Sequence, residues 1–336
     1  KTPSPCPVKR LSEGKPPPLS ETKGACLMRS KHLAILLMLV SIVVCTAGCA
    51  KTIPFKWSGF EWVAWSEGEL HFPKAAILVP MSIEGYDGEL FMQLDTGAHT
   101  CLYDLTLARL PDSSYKISHI SYEGDDIEVA TLKGQVLGHK FRNVKFAVLP
   151  NLGGPESQII GTLGIDAFRG KVLVLDFPNN RLAVTSSINQ LPEELTQRLS
   201  YVSAELTRRN RFKVNVNVGE SQLSAFYDTG SVFPLVVHES TWRELTDRSG
   251  EEQDNIVVNA SSWGQTIKMV GAPAQSPLQF AGLTIADPEI FFTPNGKFDP
   301  IFMGERIDAI MGNAPFYDYV VVLDLRGKQF GIAPGT

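Results

Sequence analysis

Leu90-Phe91-Met92-Gln93-Leu94-Asp95-Thr96-Gly97-Ala98 and Leu223-Ser224-Ala225-Phe226-Tyr227-Asp228-Thr229-Gly230-Ser231 are two copies of one pattern. In each, an apolar β-type run ends in Asp-Thr-Gly, and the two aspartates lie 133 residues apart (228 − 95 = 133). Each run is the return limb of a hairpin, since β-type residues flank a turn rich in Gly and acidic residues. The outgoing limbs are Ala75 to Ile83, broken by Pro80, and the alternating Phe212-Lys213-Val214-Asn215-Val216-Asn217-Val218. A proline inside a strand marks an edge or a bulge.

Working outward, each copy closes alike. Ile159-Ile160-Gly161-Thr162-Leu163-Gly164 precedes the strand Lys171 to Phe177 and an Asn179-Asn180 turn. Ile310-Met311-Gly312 precedes the strand Tyr319 to Leu325 and an Arg326-Gly327 turn. Gly164 stands 12 residues before Asp176 (176 − 164 = 12), and Gly312 stands 12 before Asp324 (324 − 312 = 12). The expected fold is therefore all-β and two-lobed, built by internal duplication. Its parts are a leader at 1–48, a tether at 49–74, an N-terminal lobe at 75–190 and a C-terminal lobe at 200–336. Short helices are predicted from Glu193 to Leu199 and from Glu239 to Asp247. Asp-Thr-Gly alone would also suit a tight turn; turn chemistry, however, does not require the distant glycine unit.

These residues resemble the pepsin/retropepsin superfamily of aspartic proteases over approximately residues 75–334. The resemblance implies an acid-protease fold in which each lobe brings one aspartate to a shared cleft, with Asp95 and Asp228 as the catalytic pair. It implies that the Thr96 and Thr229 hydroxyls brace the two loops, and that Gly97 and Gly230 permit close approach. Thr162 departs from the apolar-apolar-Gly element, which Ile310-Met311-Gly312 fits. Ala98 follows the first triplet and Ser231 the second, so Asp95 lacks a neighbouring hydroxyl. A hydroxyl favours the charged carboxylate, and the expected optimum is mildly acidic to near neutral. Like charges held close share one proton, so one acid can activate water while the other polarises the scissile carbonyl. No cofactor or metal is called for, and the substrate is a peptide or protein. A flap is expected at Tyr122-Glu123-Gly124 with Trp263-Gly264 as its counterpart; two ordinary hairpin tips are the alternative. A non-catalytic peptide-binding or envelope-scaffold protein on the same fold is the second reading of the whole.

Outside the duplication, the chain of 336 residues divides by charge. Residues 1–48 hold seven Lys/Arg and two Asp/Glu, a net of +5, which leaves the rest at −10 (−5 − 5 = −10). An acidic body excludes a nucleic-acid partner bound through its phosphates, and a monomer is expected. From Met28, basic residues, an apolar run from Leu33 to Val44 and small residues read as a secretory signal; an uncut anchor helix is the alternative. Thr46-Ala47-Gly48-Cys49 resembles the bacterial lipoprotein box, which implies lipidation of Cys49. With Ala50 next, it implies an anchor in the outer membrane facing the periplasm. Of the five cysteines only Cys101 lies in the body, where it reads as a small buried hydrophobe; His99 nearby leaves a Cys/His pair as a minor alternative. Phe55, Trp57, Phe60, Trp62 and Trp65 either pack beneath the lobes or meet a membrane interface.

Overall fold

A computed structural model describes residues 55–336 except 123–124, 155 and 208. The leader, the apolar run, Cys49, and Glu123 and Gly124 of the expected flap all lie outside the described residues.

The repeated units fold alike, pairing for pairing. In the first, Tyr86–Asp95 returns antiparallel to Leu70–Ile83 and pairs in parallel with Ile159–Gly164. That strand runs antiparallel to Cys101–Tyr103, which lies parallel to His139–Leu149. In the second, Ser221–Tyr227 returns against Phe212–Val218 and pairs in parallel with Ala309–Met311. Ala309–Met311 runs antiparallel to Leu235–Val237, which lies parallel to Glu289–Phe292. Each unit belongs to its own sheet, one of eight strands and one of ten.

A six-stranded sheet joins the halves, with Val172–Asp176 beside Tyr319–Asp324 at its centre. The duplicated residues are offset by 148 in this region (324 − 176 = 148). The register sets Val174 opposite Val322, the same offset, so a residue faces its own duplicate there. A local twofold axis therefore passes between these two valines. Successive side chains of a strand point to opposite faces, and both faces here are apolar. Leu173, Leu175, Val321 and Leu323 enter the main core, while Val172, Val174, Val320 and Val322 pack against Leu191 and Leu195. Full burial of each such side chain contributes about 1.5–3 kcal/mol. Asp176 and Asp324 end these strands by accepting turn hydrogen bonds, from the Asn179 side chain and from the Arg326 and Gly327 amides.

The stretch expected as a tether is in large part sheet. Glu61–Glu67 pairs with Leu70–Ile83, so the strand expected to start at Ala75 starts at Leu70. The aromatics give the reason: each packs its ring on the body, Phe60 buried and the others half-buried. Phe55 and Trp57 pack on the outer face of the joining sheet, Trp62 meets Phe177, and Trp65 stacks on Phe72 at 5.1 Å. Pro80 is not on an edge strand. Its strand pairs on one side with Glu61–Glu67 up to Leu78 and with Asp125–Val136 from Met81 onward. Pro80 falls between the two partners, where its missing N–H leaves no ladder bond unmade. The expected helices are Glu193–Thr196 and Glu239–Thr246, and among the described residues Asp104–Leu107 and Asp299–Glu305 add two the pattern did not signal.

Gly164 and Gly312 hold the lobes' central crossings. A Cβ on Gly164 would lie 2.4 Å from the Ala98 carbonyl oxygen, and one on Gly312 2.3 Å from that of Phe233. Both obstacles are backbone, which cannot swing aside. Gly164→Ala and Gly312→Ala are therefore expected to lower stability by more than the about 1 kcal/mol typical of a point change. Gly304→Ala, in open space within a helix, is expected to be neutral or stabilising by up to about 1 kcal/mol. Urea unfolding of the three variants checks the ranking.

Candidate active site

Asp95 and Asp228 arrive at one place because each ends the strand that its parallel neighbour fixes. Asp95 sits level with Gly164, and the Asp228 amide donates to the Met311 carbonyl. The loops that follow are tied by four hydrogen bonds in a twofold arrangement. The Thr96 amide donates to Thr229 Oγ1 at 2.9 Å, and the Thr229 amide to Thr96 Oγ1 at 3.0 Å. Thr96 Oγ1 then donates to the Tyr227 carbonyl at 3.0 Å, and Thr229 Oγ1 to that of Leu94 at 3.1 Å. Both threonines are fully shielded from solvent.

Gly97 and Gly230 are required by the opposite loop's carboxyl. A Cβ on Gly97 would come within 2.5 Å of Asp228 Cγ, and one on Gly230 within 2.7 Å of Asp95 Cγ. The bare backbone also donates. Asp228 Oδ1 accepts from the Gly97 amide at 3.2 Å and from the Gly230 amide at 2.8 Å. Asp95 Oδ1, by contrast, is buried without a hydrogen-bond partner. Burial first, then the Asp228 charge and the hydrogen bond between the carboxyls, hold Asp95 well above the usual carboxylate range. The Arg211 charge and the Gly97 amide offset part of that rise. Two close carboxyls at a half-buried surface, one with its proton affinity raised, suit general acid–base chemistry.

Several supporting residues carried no signal in the motifs. Asn313, directly after Gly312, donates from Nδ2 to the Thr229 carbonyl at 2.8 Å and accepts from the Tyr227 hydroxyl at 2.8 Å. In the first lobe Thr100 has that bracing role. Its Oγ1 accepts from the Gly164 amide at 3.0 Å and donates to Asp166 Oδ1 at 3.0 Å. Arg211 crosses between lobes, donating from Nε to the Gly97 carbonyl at 2.7 Å. Thr162, the departure from the apolar pattern, has a local reason: its hydroxyl shares a 2.7 Å hydrogen bond with the Tyr103 hydroxyl.

The other residues expected from the sequence differ in their surroundings. Ser231 places its hydroxyl on neither carboxylate among the described residues; the donors to Asp228 are backbone amides. Cys101 is buried against Thr162, and burial pushes its thiol up to about 12, so it is no nucleophile. Tyr122 ends a hairpin strand that pairs back onto Asp125–Val136. Trp263 and Gly264 form the corresponding tip in the second lobe, with φ of 51° and 70°. Positive φ at both central residues is the turn geometry that suits the strands' twist. The tip reaches the first lobe, since a Cβ on Gly264 would lie 3.2 Å from Leu152 Cδ2.

No protein-family model and no curated protein matches the chain. Among solved structures it is similar to an aspartic proteinase from Irpex lacteus, with a TM-score of 0.51 and 12% identity over 78% of this chain and 95% of that one. The fold is thus the all-β, two-lobed fold of a pepsin-like aspartic proteinase.

Two stability outcomes follow. Thr96→Val or Thr229→Val orphans backbone groups on the other loop, at about 1–3 kcal/mol for each. The double variant should cost less than the sum, because the pair is one network; urea unfolding measures the cycle. The second concerns Asp95. A carboxyl whose folded-state proton affinity is raised contributes its stability below the unfolded value and loses it as pH rises through the folded one. Asp95→Asn should therefore raise the melting temperature at about pH 7 and have little effect at about pH 3. Calorimetry at both values checks the sign.

Proposed function

We propose that the protein is an aspartic endopeptidase whose Asp95 and Asp228 activate a water against a peptide carbonyl. What supports this reading is one observation: two carboxyls face each other's loops, each against the opposite glycine, where Thr96 and Thr229 brace the loops, and burial together with the Asp228 charge raises the proton affinity of Asp95. A rigid pair of acids, one protonated and one charged, can take a proton from water and supply one to the carbonyl oxygen. The rest of the donor set answers to the same need. The loop amides hold the charge, and the glycines leave room for the two carboxyls to meet.

The hairpin tips at Tyr122 and Trp263-Gly264 are proposed to cover bound peptide. Export and anchoring through a lipid on Cys49, with the body in the bacterial envelope, complete the proposal. Among the described residues no helix is long and apolar enough to cross a membrane.

The test is cleavage of a peptide library by the wild type, Asp95→Asn and Asp228→Asn. The wild type is expected to cleave, and each variant to lose at least about 10³-fold in kcat/KM, in line with general acid–base contributions. Cleavage that survives either substitution would end the assignment, and a wild type inert at every pH would favour the peptide-binding reading. Activity requires the shared proton, so it is lost as pH rises through the raised affinity of Asp95. The rate should therefore peak between mildly acidic and near-neutral pH; a maximum below about pH 3 contradicts this. Palmitate labelling that persists in Cys49→Ala would remove the anchor.

A further inference from the structure

The duplication makes the two aspartates equivalent in backbone, but their surroundings are not. In the second hairpin the register Lys213↔Phe226 brings Arg211 level with Asp228. In the first, Ile77↔Leu94 brings Ala76 level with Asp95. A cation thus stands at one of two duplicated positions. Arg211 is 3% exposed, and its guanidinium is fixed on three sides. Nε donates to the Gly97 carbonyl at 2.7 Å, Nη1 donates to Glu305 Oε1 at 2.6 Å, and the plane lies 5.1 Å from the Phe226 ring centre. Glu305 is itself buried and receives Arg209 on the same oxygen at 3.3 Å.

We infer that Arg211, held by Glu305, is a positioning residue that places the negative charge of the pair on Asp228 and leaves the shared proton on Asp95. Three observations converge on this. Asp228 accepts two backbone amide hydrogen bonds, and hydrogen bonds to the charged form favour it. Asp95 Oδ1 is buried with no donor, a setting that costs an anion more than a neutral carboxyl. The register also sets Arg211 level with Asp228, whereas uncharged Ala76 stands level with Asp95. Cys101, Tyr103 and Tyr227 also act on the pair. Burial raises all three, so they stay neutral at working pH and add no charge. Behind Arg211, Glu305 and Arg209 oppose one another.

The inference deepens the peptidase reading and takes its reacting groups from it. Asp228 takes a proton from the water as the water oxygen bonds to the carbonyl carbon, and Asp95 gives its proton to the carbonyl oxygen. Asp228 then passes its proton to the amide nitrogen. The C–N bond breaks, and a hydroxyl of the diol returns a proton to Asp95.

The test is a carboxyl titration of the full chain carrying ¹³Cγ-labelled aspartate, followed by NMR between about pH 2 and 9. The resonance missing from Asp95→Asn identifies Asp95, and that missing from Asp228→Asn identifies Asp228. Asp95 is expected to keep its proton to the higher pH of the two; loss from Asp95 first overturns the inference. Arg211→Met/Glu305→Gln removes the cation without stranding a buried carboxylate. It should raise the lower dissociation by at least about half a pH unit, near threefold in proton affinity. Arg211→Lys, which keeps the charge, should move it less. A melting temperature that falls while both dissociations stay in place would make Arg211 structural only and overturn its role. If the double variant does not fold, the wild-type order and Arg211→Lys decide alone. The titration needs no turnover: an inert wild type defeats the peptidase reading, while the order of dissociation judges the proton assignment.

Discussion

Thr96 and Thr229 each donate and accept across the lobe boundary, and these four hydrogen bonds hold together two hairpin ends far apart in the chain. Each hydroxyl satisfies an amide of the other loop and a carbonyl just before the other aspartate. Backbone groups buried without partners would be costly, so neither loop can take this conformation by itself. The joining sheet brings the loops into reach, and its axis between Val174 and Val322 relates them. The glycines then follow. Once the loops are this close, Gly97 faces the Asp228 carboxyl and Gly230 faces that of Asp95, with no room for a side chain at either.

That closeness carries an electrostatic cost. Two carboxyls brought together in a half-buried place cannot both ionise cheaply, and Asp95 is held protonated well above its ordinary range. A fold selected for stability alone would not put them there. The cost is tolerable because the surrounding cores are dense. Trp242, Tyr227, Phe316 and Phe330 are wholly buried, and Tyr227 packs edge-on against Phe316 and Phe330. Tyr227 also links this core to the site, since its hydroxyl positions Asn313 and its carbonyl receives Thr96.

The duplicated pattern made the fold legible in the sequence, because its signals are periodic and paired. Strand alternation, the two Asp-Thr-Gly triplets and the glycine twelve residues before each closing aspartate all describe backbone that the fold constrains locally. The residues that went unread act through space. Arg211 lies in a polar stretch with nothing in its neighbourhood to separate it from Arg209, and its partner Glu305 is 94 residues away. Asp166 and Thr100 meet across 66 residues for the same reason. Asn313 was within reach, because it follows Gly312 directly, but only the turn geometry gives its side chain two partners. The expected tether at 49–74 is shortened by sheet, because Trp57, Trp62 and Trp65 each belong to a sheet face that another part of the chain completes; of the two readings of these aromatics, packing beneath the lobes describes them.

Symmetry built the site, and the proposed placement of its proton depends on symmetry being broken. Two identical carboxyls on a twofold axis would share a proton equally, with neither prepared to act first as acid or base. The duplication retains the threonines, the glycines and the parallel strand pairs, all of which set geometry. It has diverged at residues that set charge and hydrogen bonding: Arg211 against Ala76 and Asn313 against Ile165. The last exchange leaves the bracing of one loop to an amide side chain and of the other to Thr100 with Asp166. Because Arg211 also holds the carbonyl of Gly97, the residue that biases the charge is tied to the loop carrying the opposite acid. A shift of one lobe against the other would therefore disturb the proton's position together with the distance between the carboxyls, which makes the lobe interface itself part of the site.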